Sequence, residues 1–170
     1  KIDVNNLTIA TTGRICYQKN PKRFNEIAKL FPNIKFIWVG TGELEDELTE
    51  HNIEVTGWKN KDELMEILNN ADIFILPSLW EGLPISLLEA MALKKVCIVS
   101  NVIGNRDVIK NDENGFICKD LKEYKKVINN ILDSKYNCEN IAQNAYEDIC
   151  NNYNTEVMYN QYLKIYEGEE

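Results

Sequence analysis

Short apolar runs alternate with longer stretches of helical periodicity along most of this chain, and this alternation limits the fold more than any other feature. The runs predict strands at residues 7–12, 35–39, 53–56, 73–76, 96–100 and 115–118. The stretches between them predict helices at residues 21–30, 44–51, 61–69 and 84–93, followed by three helices near the C-terminus. Strands that alternate with helices form a parallel sheet. We therefore predict an α/β fold: a doubly wound, Rossmann-like parallel sheet of about six strands with helices on both faces.

The C-terminal helices carry recognisable start signals. Asp120 can cap a helix over Leu121–Leu132, and Glu123 follows three residues later, as in a capping box. Asn154 can cap the last helix in the same way. An apolar stripe on that helix would pack on this domain or on another one, and it consists of Val157, Met158, Tyr162, Ile165 and Tyr166.

The length and charge of the chain restrict its class. At 170 residues the chain suits one domain, residues 1–170, with a substantial core. Its formal net charge of −8 would repel a polyanion, so we expect no nucleic-acid partner. No run approaches the roughly 20 apolar residues of a membrane span, and no signal peptide is recognisable, so we expect no transmembrane segment and a cytoplasmic location.

The five cysteines and the single histidine give no sign of metal or redox chemistry. The cysteines are widely spaced and include no Cys-x-x-Cys pair, so we expect reduced thiols. Cys97 and Cys118 lie in apolar strands, where a thiol packs as a small hydrophobic group. His51 ends a predicted helix and is a poor catalytic candidate. We predict no metal site, since one histidine cannot form a multi-histidine cluster.

Ligands of a doubly wound sheet bind beyond the carboxyl ends of its strands, so the residues after each strand are the first candidates for a site. The loop after the first strand contains Gly13, Arg14 and Lys19 ahead of a helix. A planar guanidinium and a compact ammonium could together clamp a diphosphate leaving group. Ordinary solvated surface charge is the alternative.

Glycines also follow the second and third strands. Gly40 and Gly42 do not match a dinucleotide fingerprint, and the acidic residues after them complement the dipole of the predicted helix at 44–51. Gly57 and Trp58 follow the third strand, where a nucleobase could lie against backbone amides. A Trp58 side chain packed into the protein is equally consistent with the sequence.

The strongest signal follows the fourth strand. Glu81 precedes a tight loop in which Gly82 and Pro84 lead into a helix, whose first amides can cradle a phosphate or sugar oxygen. Glu89 lies within that otherwise apolar helix, where a carboxylate needs hydrogen-bond donors. The vicinal hydroxyls of a ribose would supply such donors. A buried structural salt bridge is the alternative.

Taken in order, these motifs resemble the C-terminal, donor-binding domain of the family-four retaining glycosyltransferases, which are of the group 1 glycosyl transferase type and have the GT-B fold. In that family two glutamates are separated by seven residues within Glu-Gly-x-Pro and the following helix, and Glu81 and Glu89 fit this spacing. The resemblance extends over nearly the whole chain and also covers Gly13-Arg14 with Lys19, Gly40-x-Gly42, Gly57 and Asn114-Gly115-Phe116.

The resemblance implies a role for each matching residue. Arg14 and Lys19 would bind the donor diphosphate, and Glu89 would bind the ribose. The transferred sugar would contact Glu81 and the backbone that follows it, and the base would lie next to the third strand. The resemblance thus implies three catalytic residues, Arg14, Lys19 and Glu81. It also implies a set of substrate-binding residues: Gly13, Gly57, Trp58, Gly82, Leu83, Pro84 and Glu89.

One segment departs from the family pattern. At residues 103–109, Arg106 replaces a common proline and Asp107 replaces a glutamate. The local turn and any donor preference that it sets cannot be transferred from the family, so we assign no site residue there.

The resemblance also implies an activity. The expected enzyme is a hexosyltransferase-type glycosyltransferase that uses a UDP- or GDP-linked sugar, needs no further cofactor, and transfers with retention to a glycan or lipid-linked acceptor, as in bacterial capsular polysaccharide synthesis. Because the chain begins at Lys1, we expect the C-terminal half of a longer enzyme that could work at the inner face of the membrane, with the N-terminal acceptor domain absent and the isolated domain inactive. The alternatives are a nucleotide-sugar-binding module without activity and a nucleotide-sugar epimerase-like enzyme.

Overall fold

The computed structural model describes residues 2–153, and its centre is a six-stranded parallel sheet. The strands lie in the order β3-β2-β1-β4-β5-β6, which confirms the predicted doubly wound, Rossmann-like sheet. All neighbouring strands pair in parallel. Their bounds are Thr8–Thr12 (β1), Lys35–Val39 (β2), Ile53–Val55 (β3), Ile73–Leu76 (β4), Val96–Ser100 (β5) and Phe116–Cys118 (β6).

Helices cover both faces of the sheet. Their bounds are Pro21–Leu30 (α1), Lys61–Asn70 (α2), Ile85–Ala92 (α3), Ile103–Val108 (α4), Leu121–Leu132 (α5) and Cys138–Asn152 (α6). Two short 3-10 turns lie at Tyr17–Lys19 and Glu45–Glu47. The expected last helix, with Asn154 as its cap, lies outside the described residues.

Strands β2, β4 and β5 are mostly apolar because both of their faces are buried. On β4, Ile73 and Ile75 point into one apolar cluster, whereas Phe74 and Leu76 point into another on the opposite face. Helices α1 and α5 cover the first cluster, and α2 and α3 cover the second. Sheets of this parallel type lack the polar side of an antiparallel sheet, and their strands are accordingly uniformly hydrophobic.

Side chains fix the start of several helices. The Asn60 side chain accepts a hydrogen bond from Glu63 N, and the Glu63 carboxylate accepts one from Asn60 N, which completes a capping box at α2. At α5, the predicted cap is confirmed, since Asp120 Oδ1 accepts from Glu123 N at 2.9 Å. The Glu123 carboxylate, however, accepts from Lys119 N rather than from the cap residue itself.

The helix predicted at residues 44–51 is wrong. Only Glu45–Glu47 form a 3-10 turn, so His51 ends no helix and the acidic residues there complement no helix dipole. The physical reason is a distant side chain: Asn25 Oδ1 on α1 accepts from Thr49 N at 2.8 Å and from Glu50 N at 3.0 Å. Amides captured in this way cannot donate within a helix.

The segment at residues 103–109, where the sequence departs from the family pattern, forms a short helix. Helix α4, Ile103–Val108, was not predicted, because six residues are too few to show a helical period. No helix among residues 2–153 is both long enough and apolar enough to cross a membrane.

The predicted packing of Cys97 and Cys118 as small apolar groups is confirmed, since their exposed fractions are 0% and 1%. Burial is the first cause that raises the pKa of both thiols, and that of Cys118 rises to about 12.

This burial yields a testable difference among the cysteines. At pH 8 we expect Cys97 and Cys118 to resist alkylation in the folded chain, because a buried neutral thiol is a poor nucleophile, whereas the exposed Cys150 should react within minutes. Peptide mass spectrometry after iodoacetamide treatment identifies each labelled cysteine, and a sample in denaturant is the control. Rapid labelling of Cys97 in the folded chain would contradict the packing of β5.

Candidate functional site

The order of the strands brings two loops together at one edge of the sheet. Strand β1 pairs with β2 on one side and with β4 on the other, so the chain changes direction across the sheet at the β1–β4 boundary. Such a switch point leaves a crevice beyond the carboxyl ends of the two strands. The loops after β1 and β4 are joined there, since Leu79 N donates to Gln18 O at 2.8 Å and Gln18 Nε2 donates to Trp80 O at 3.0 Å.

An ion pair lies at this crevice. Lys19 Nζ, after β1, is 2.6 Å from Glu81 Oε1, after β4. The Ser78 hydroxyl donates to the same carboxylate oxygen at 2.7 Å. The Lys19 and Glu81 side chains are only 19% and 5% exposed, so the pair is shielded from water more than a surface pair would be. The structure therefore brings together two of the three predicted catalytic residues.

The Glu81 carboxylate retains one oxygen for a ligand. Both donors contact Oε1, and no hydrogen bond from residues 2–153 reaches Oε2. The loop residues beyond Glu81 reach into solvent, with Leu83 48% exposed, while Pro84 is buried and is the N-cap residue of helix α3. A carboxylate in this setting can accept a hydrogen bond from a hydroxyl group of a ligand.

The first amides of α3 follow Glu81 closely in the chain and have no hydrogen-bond partner among residues 2–153. Leu87 N and Leu88 N donate to Pro84 O, whereas the amides of Ile85 and Ser86 donate to no residue of the described chain. Unpaired amides at a helix start can bind an anionic oxygen. The predicted cradle formed by Gly82, Leu83 and Pro84 is therefore followed directly by two amides that are open to a ligand.

Ser78 is itself held by residues from the next strand. The Ser100 hydroxyl at the end of β5 donates to Ser78 O at 2.5 Å. Asn105 Nδ2 on α4 donates to both Ser100 O and Ser100 Oγ at 3.1 Å. Ser78 and Asn105 are 1% and 0% exposed, so these polar contacts lie in the interior.

Helix α4 packs against the backbone of the Glu81 loop. A Cβ atom at Gly104 would lie 2.1 Å from Gly82 O and 2.6 Å from Glu81 O, closer than atoms can approach. Only glycine allows this contact, because any other residue would push α4 and the loop apart. The segment in which we assigned no site residue thus supports the backbone of the Glu81 loop through Gly104.

Arg14 does not join the Lys19–Glu81 pair. Its Nε is 2.9 Å from Glu43 Oε2, and the two side chains are 73% and 52% exposed. The pKa of the Glu43 carboxyl is lowered, first by a hydrogen bond from its own backbone amide and then by Arg14. The guanidinium keeps most of its donors for another anion, since Glu43 contacts it only through Nε.

Gly13 and the glycines after β2 let two loops run side by side. A Cβ at Gly40 would lie 2.1 Å from Gly13 O, and one at Gly42 would lie 2.2 Å from Ile15 O. Gly13 has a φ of 122°, which side chains disfavour, and its carbonyl accepts a hydrogen bond from Trp38 Nε1. These close contacts set the path of the loop that carries Arg14.

Trp58, which follows Gly57, lines a cavity at the same edge of the sheet. Its volume is about 270 Å³, and its lining residues are Gly13, Arg14, Val39, Gly40, Thr41, Trp58, Lys59 and Leu64. Trp58 is 76% exposed, which excludes the alternative of a packed tryptophan. Gly57, with a φ of 73°, pairs with Gly40 through an isolated bridge. A planar ring could lie against Trp58 next to Arg14.

Glu89 lies on the second turn of α3 and is only partly buried. Its side chain is 27% exposed, and its Oε1 is 3.7 Å from Nζ of Lys61, a side chain that is 77% exposed. Glu89 thus forms a salt bridge, as the alternative expected, but the salt bridge is not buried, since Lys61 is mostly in water. The carboxylate remains accessible to a ligand with two hydroxyl donors.

No cluster of three or more potential metal ligands occurs in the described part of the chain. The cations of the crevice are protein side chains, and each already has a carboxylate partner: Lys19 with Glu81 and Arg14 with Glu43. A diphosphate that binds there would use the donors that Arg14 and Lys19 do not spend on these carboxylates.

Sequence reasoning missed the role of five residues of the site: Glu43, which was expected to complement a helix dipole, and Ser78, Ser100, Gly104 and Asn105, which were given no role. Ser78 and Ser100 each follow or end an apolar strand, and a small hydroxyl residue at a strand end was a usable signal. The contacts of Glu43, Gly104 and Asn105 depend on how the chain folds back, which no local pattern reveals.

The family model described as "Glycosyl transferases group 1" matches residues 1–148 of this chain. Escherichia coli UDP-Gal:alpha-D-GlcNAc-diphosphoundecaprenol alpha-1,3-galactosyltransferase is 35% identical over 165 residues, which cover 84% of this chain and 42% of that protein. N,N'-diacetylbacillosaminyl-diphospho-undecaprenol alpha-1,3-N-acetylgalactosaminyltransferase of Campylobacter jejuni subsp. jejuni is 30% identical over 162 residues, or 91% of this chain and 43% of that protein. The chain thus spans less than half the length of these curated relatives.

Solved structures give the same fold. The HepE protein of Anabaena, crystallised with UDP and glucose, superposes with a TM-score of 0.84 at 17% identity, over 96% of this chain and 49% of that one. The C-terminal domain of the group 1 family glycosyl transferase LpcC from Francisella tularensis superposes with a TM-score of 0.73 at 26% identity, over 88% of this chain and 87% of that domain. These neighbours are GT-B glycosyltransferases.

The contact between α4 and the Glu81 loop gives a stability prediction. We expect Gly104→Ala to lower the free energy of unfolding by about 1–3 kcal/mol, because the new methyl group meets a backbone carbonyl that cannot move aside without shifting the loop. Gly82→Ala is the matched control, since a Cβ there has no atom within 4 Å. Urea denaturation measures both. Equal stability of the Gly104 variant and the unchanged chain would contradict the contact.

Proposed function

Because this chain belongs to the group 1 glycosyl transferase family, we propose that it binds a nucleotide diphosphate sugar and serves as the donor-binding half of a retaining glycosyltransferase. The observation that carries the proposal is the shielded contact between Lys19 and Glu81 at the switch point, in the loop that leads into the unpaired first amides of α3. This arrangement combines a cation for a phosphate with an acceptor for a sugar hydroxyl.

The diphosphate of the donor would lie between Arg14, Lys19 and the start of α3. As the bond between the anomeric carbon and the diphosphate oxygen breaks, its electron pair passes to the diphosphate, and these donors stabilise the growing negative charge. Positive groups fixed before the reaction lower the barrier without having to reorganise. In this scheme the protein itself supplies the charge stabilisation, with no metal required by any step.

The sugar and nucleoside would lie on either side of the diphosphate. Glu81 would accept a hydrogen bond from a sugar hydroxyl through its open Oε2. Glu89 would bind the two ribose hydroxyls, and Trp58 would flank the base in the cavity beside Arg14. We do not propose Glu81 as a nucleophile, because its carboxylate is already bound by Lys19 and Ser78 and serves to orient the sugar.

The curated relatives suggest the donor and the acceptor. The E. coli relative is named for UDP-Gal and for a sugar linked to diphosphoundecaprenol, and the C. jejuni relative also acts on a diphospho-undecaprenol-linked sugar. A Staphylococcus aureus relative, 27% identical, is a capsular polysaccharide biosynthesis glycosyltransferase. We therefore propose a UDP-linked hexose-type donor and a lipid-linked acceptor, used at the cytoplasmic face of the membrane in surface polysaccharide synthesis.

The acceptor would be bound outside this chain. Since the chain spans less than half of its relatives, the acceptor-binding domain would be another part of the full-length protein, and the isolated chain would bind donor without turnover. The alternative hypothesis, a nucleotide-sugar-binding module without activity, therefore describes the 170-residue chain alone. It is compatible with a glycosyltransferase activity of the full-length protein.

Calorimetric titration with UDP, GDP, ADP and UMP tests the proposal. We expect UDP to bind best and Arg14→Ala to weaken UDP about tenfold while leaving UMP within about twofold, because charged hydrogen bonds to the second phosphate are lost. Glu89→Gln should weaken UDP and UMP alike, since both contain the ribose.

Two control variants accompany this titration. Lys22→Ala removes an exposed cation from the start of α1, and Glu66→Gln neutralises an exposed glutamate on α2, so neither should change UDP affinity. If no nucleotide binds to the unchanged chain, the donor-domain proposal is wrong. If UDP binds but Arg14→Ala does not weaken it, Arg14 has no part in the diphosphate site.

A further inference from the structure

We propose that Ser78, Ser100 and Asn105 form a chain of hydrogen bonds, here called the Ser78 relay, that orients Glu81 and makes α4 a determinant of sugar recognition. The inference rests on the proposed function, because it assigns the relay to the same donor site. In this arrangement Ser78, Ser100 and Asn105 are positioning residues, since they act on the sugar only through Glu81.

The direction of every proton in the relay follows from the chemistry of its members. Ser100 O is a carbonyl and can only accept, so the Asn105 amide must present Nδ2 to it at 3.1 Å. The same Nδ2 contacts Ser100 Oγ, which therefore accepts and has its own proton left for Ser78 O. The Ser78 hydroxyl then donates to Glu81, because an ionised carboxylate can only accept. The hydrogen bonds from Asn105 and Ser100 thus end at the backbone carbonyl of Ser78, and the Ser78 residue itself links them to its own hydroxyl and so to Glu81.

Two donors of different kinds meet on one carboxylate oxygen. Lys19 Nζ and Ser78 Oγ lie 2.6 Å and 2.7 Å from Glu81 Oε1. An ammonium on a flexible stem fixes the charge of its partner but only weakly its direction. The Ser78 hydroxyl lies on a buried residue two positions after β4, so its own position is set by the backbone and it limits how the Glu81 carboxylate can turn.

Burial makes this orientation rigid. Ser78 and Asn105 are 1% and 0% exposed, and water cannot easily replace their hydrogen bonds. In a low-dielectric interior, a hydrogen bond that loses its donor leaves a costly unpaired acceptor, so each member holds the next in place. Among residues 2–153, Asn105 Oδ1 has no hydrogen-bond partner, so the described contacts hold this amide through its Nδ2 side.

The relay connects Glu81 to the segment that departs from the family pattern. Asn105 lies on α4, which touches the Glu81–Gly82 backbone through Gly104 and is fixed at its other end by Asn114 Nδ2 donating to Val108 O. A different sequence at residues 103–108 would move Asn105 relative to Ser100. The position of the Glu81 carboxylate, and hence the sugar that it accepts, would change with it.

The test is a comparison of UDP with UDP-sugars. Titration calorimetry of the 170-residue chain with UDP, UDP-galactose and UDP-N-acetylglucosamine gives the sugar increment, defined as the ratio of the UDP dissociation constant to that of the better UDP-sugar. We expect Ser78→Ala to reduce this increment about tenfold or to abolish it, and Ser100→Ala to reduce it about threefold, with UDP itself within about twofold. Ser100→Thr keeps the hydroxyl and should restore the increment.

The matched control is Asn101→Ala. It removes the hydrogen bond from Arg106 Nη1 to Asn101 Oδ1, which also joins the end of β5 to α4 but does not lead to Glu81. The increment should not change in this variant. Thermal unfolding of every variant separates a loss of fold from a loss of orientation.

The outcomes distinguish this proposal from the proposed function. An undiminished sugar increment in Ser78→Ala overturns the relay, as does an equal loss for UDP and UDP-sugar, which would indicate a structural role alone. A chain that binds UDP but gains nothing from a sugar also overturns it, because Glu81 then contacts no sugar. A chain that binds neither UDP nor GDP overturns the proposed function and the relay together.

Discussion

The parallel pairing of β1 with β4 is the constraint on which the site depends. Strands β2 and β3 lie on one side of β1, and strands β4, β5 and β6 lie on its other side. The loops after β1 and β4, which are far apart in sequence, therefore leave the sheet at the same point. One loop contributes Lys19 and the other Glu81, and their contact at 2.6 Å is a direct result of this strand order. Any sequence that preserved the two motifs but changed the strand order would separate them.

Glycines and small polar residues then shape the crevice. Because residues 40 and 104 are glycines, no side chain holds the neighbouring backbones apart. The loop after β2 can therefore contact the loop after β1, and α4 can contact the Glu81 loop. The hydroxyl groups of Ser78 and Ser100 and the amide of Asn105 fill the interior behind these loops. Their hydrogen bonds hold the Glu81 loop in one orientation. The large exposed groups of the edge, such as Trp58, remain for contact with a ligand or with another part of the protein.

Much of this could be predicted from the sequence, because strands buried on both faces are continuous apolar runs and the motifs lie where those runs end. Three features depend on the whole fold and could not be predicted from a local pattern: the order of the strands, the pairing of Lys19 with Glu81 and the exposure of Trp58. The false helix at 44–51 shows the limit: Asn25, more than twenty residues away, captures the amides that the helix needed. The contacts among Ser78, Ser100 and Asn105 were not predicted for the same reason, since they join three segments that only the folded sheet brings together.

The most direct test of the central claim, that the carboxyl edge of the sheet binds a nucleotide diphosphate sugar, is a map of amide chemical shifts in the ¹⁵N-labelled chain on addition of a UDP-sugar. We expect the large shifts at residues 13–19, 57–59 and 82–86, around the switch point. Residues 33–34 and 71–72, which precede β2 and β4 at the opposite edge, should not move. Shifts centred on that opposite edge, or spread evenly over the domain, would contradict the site.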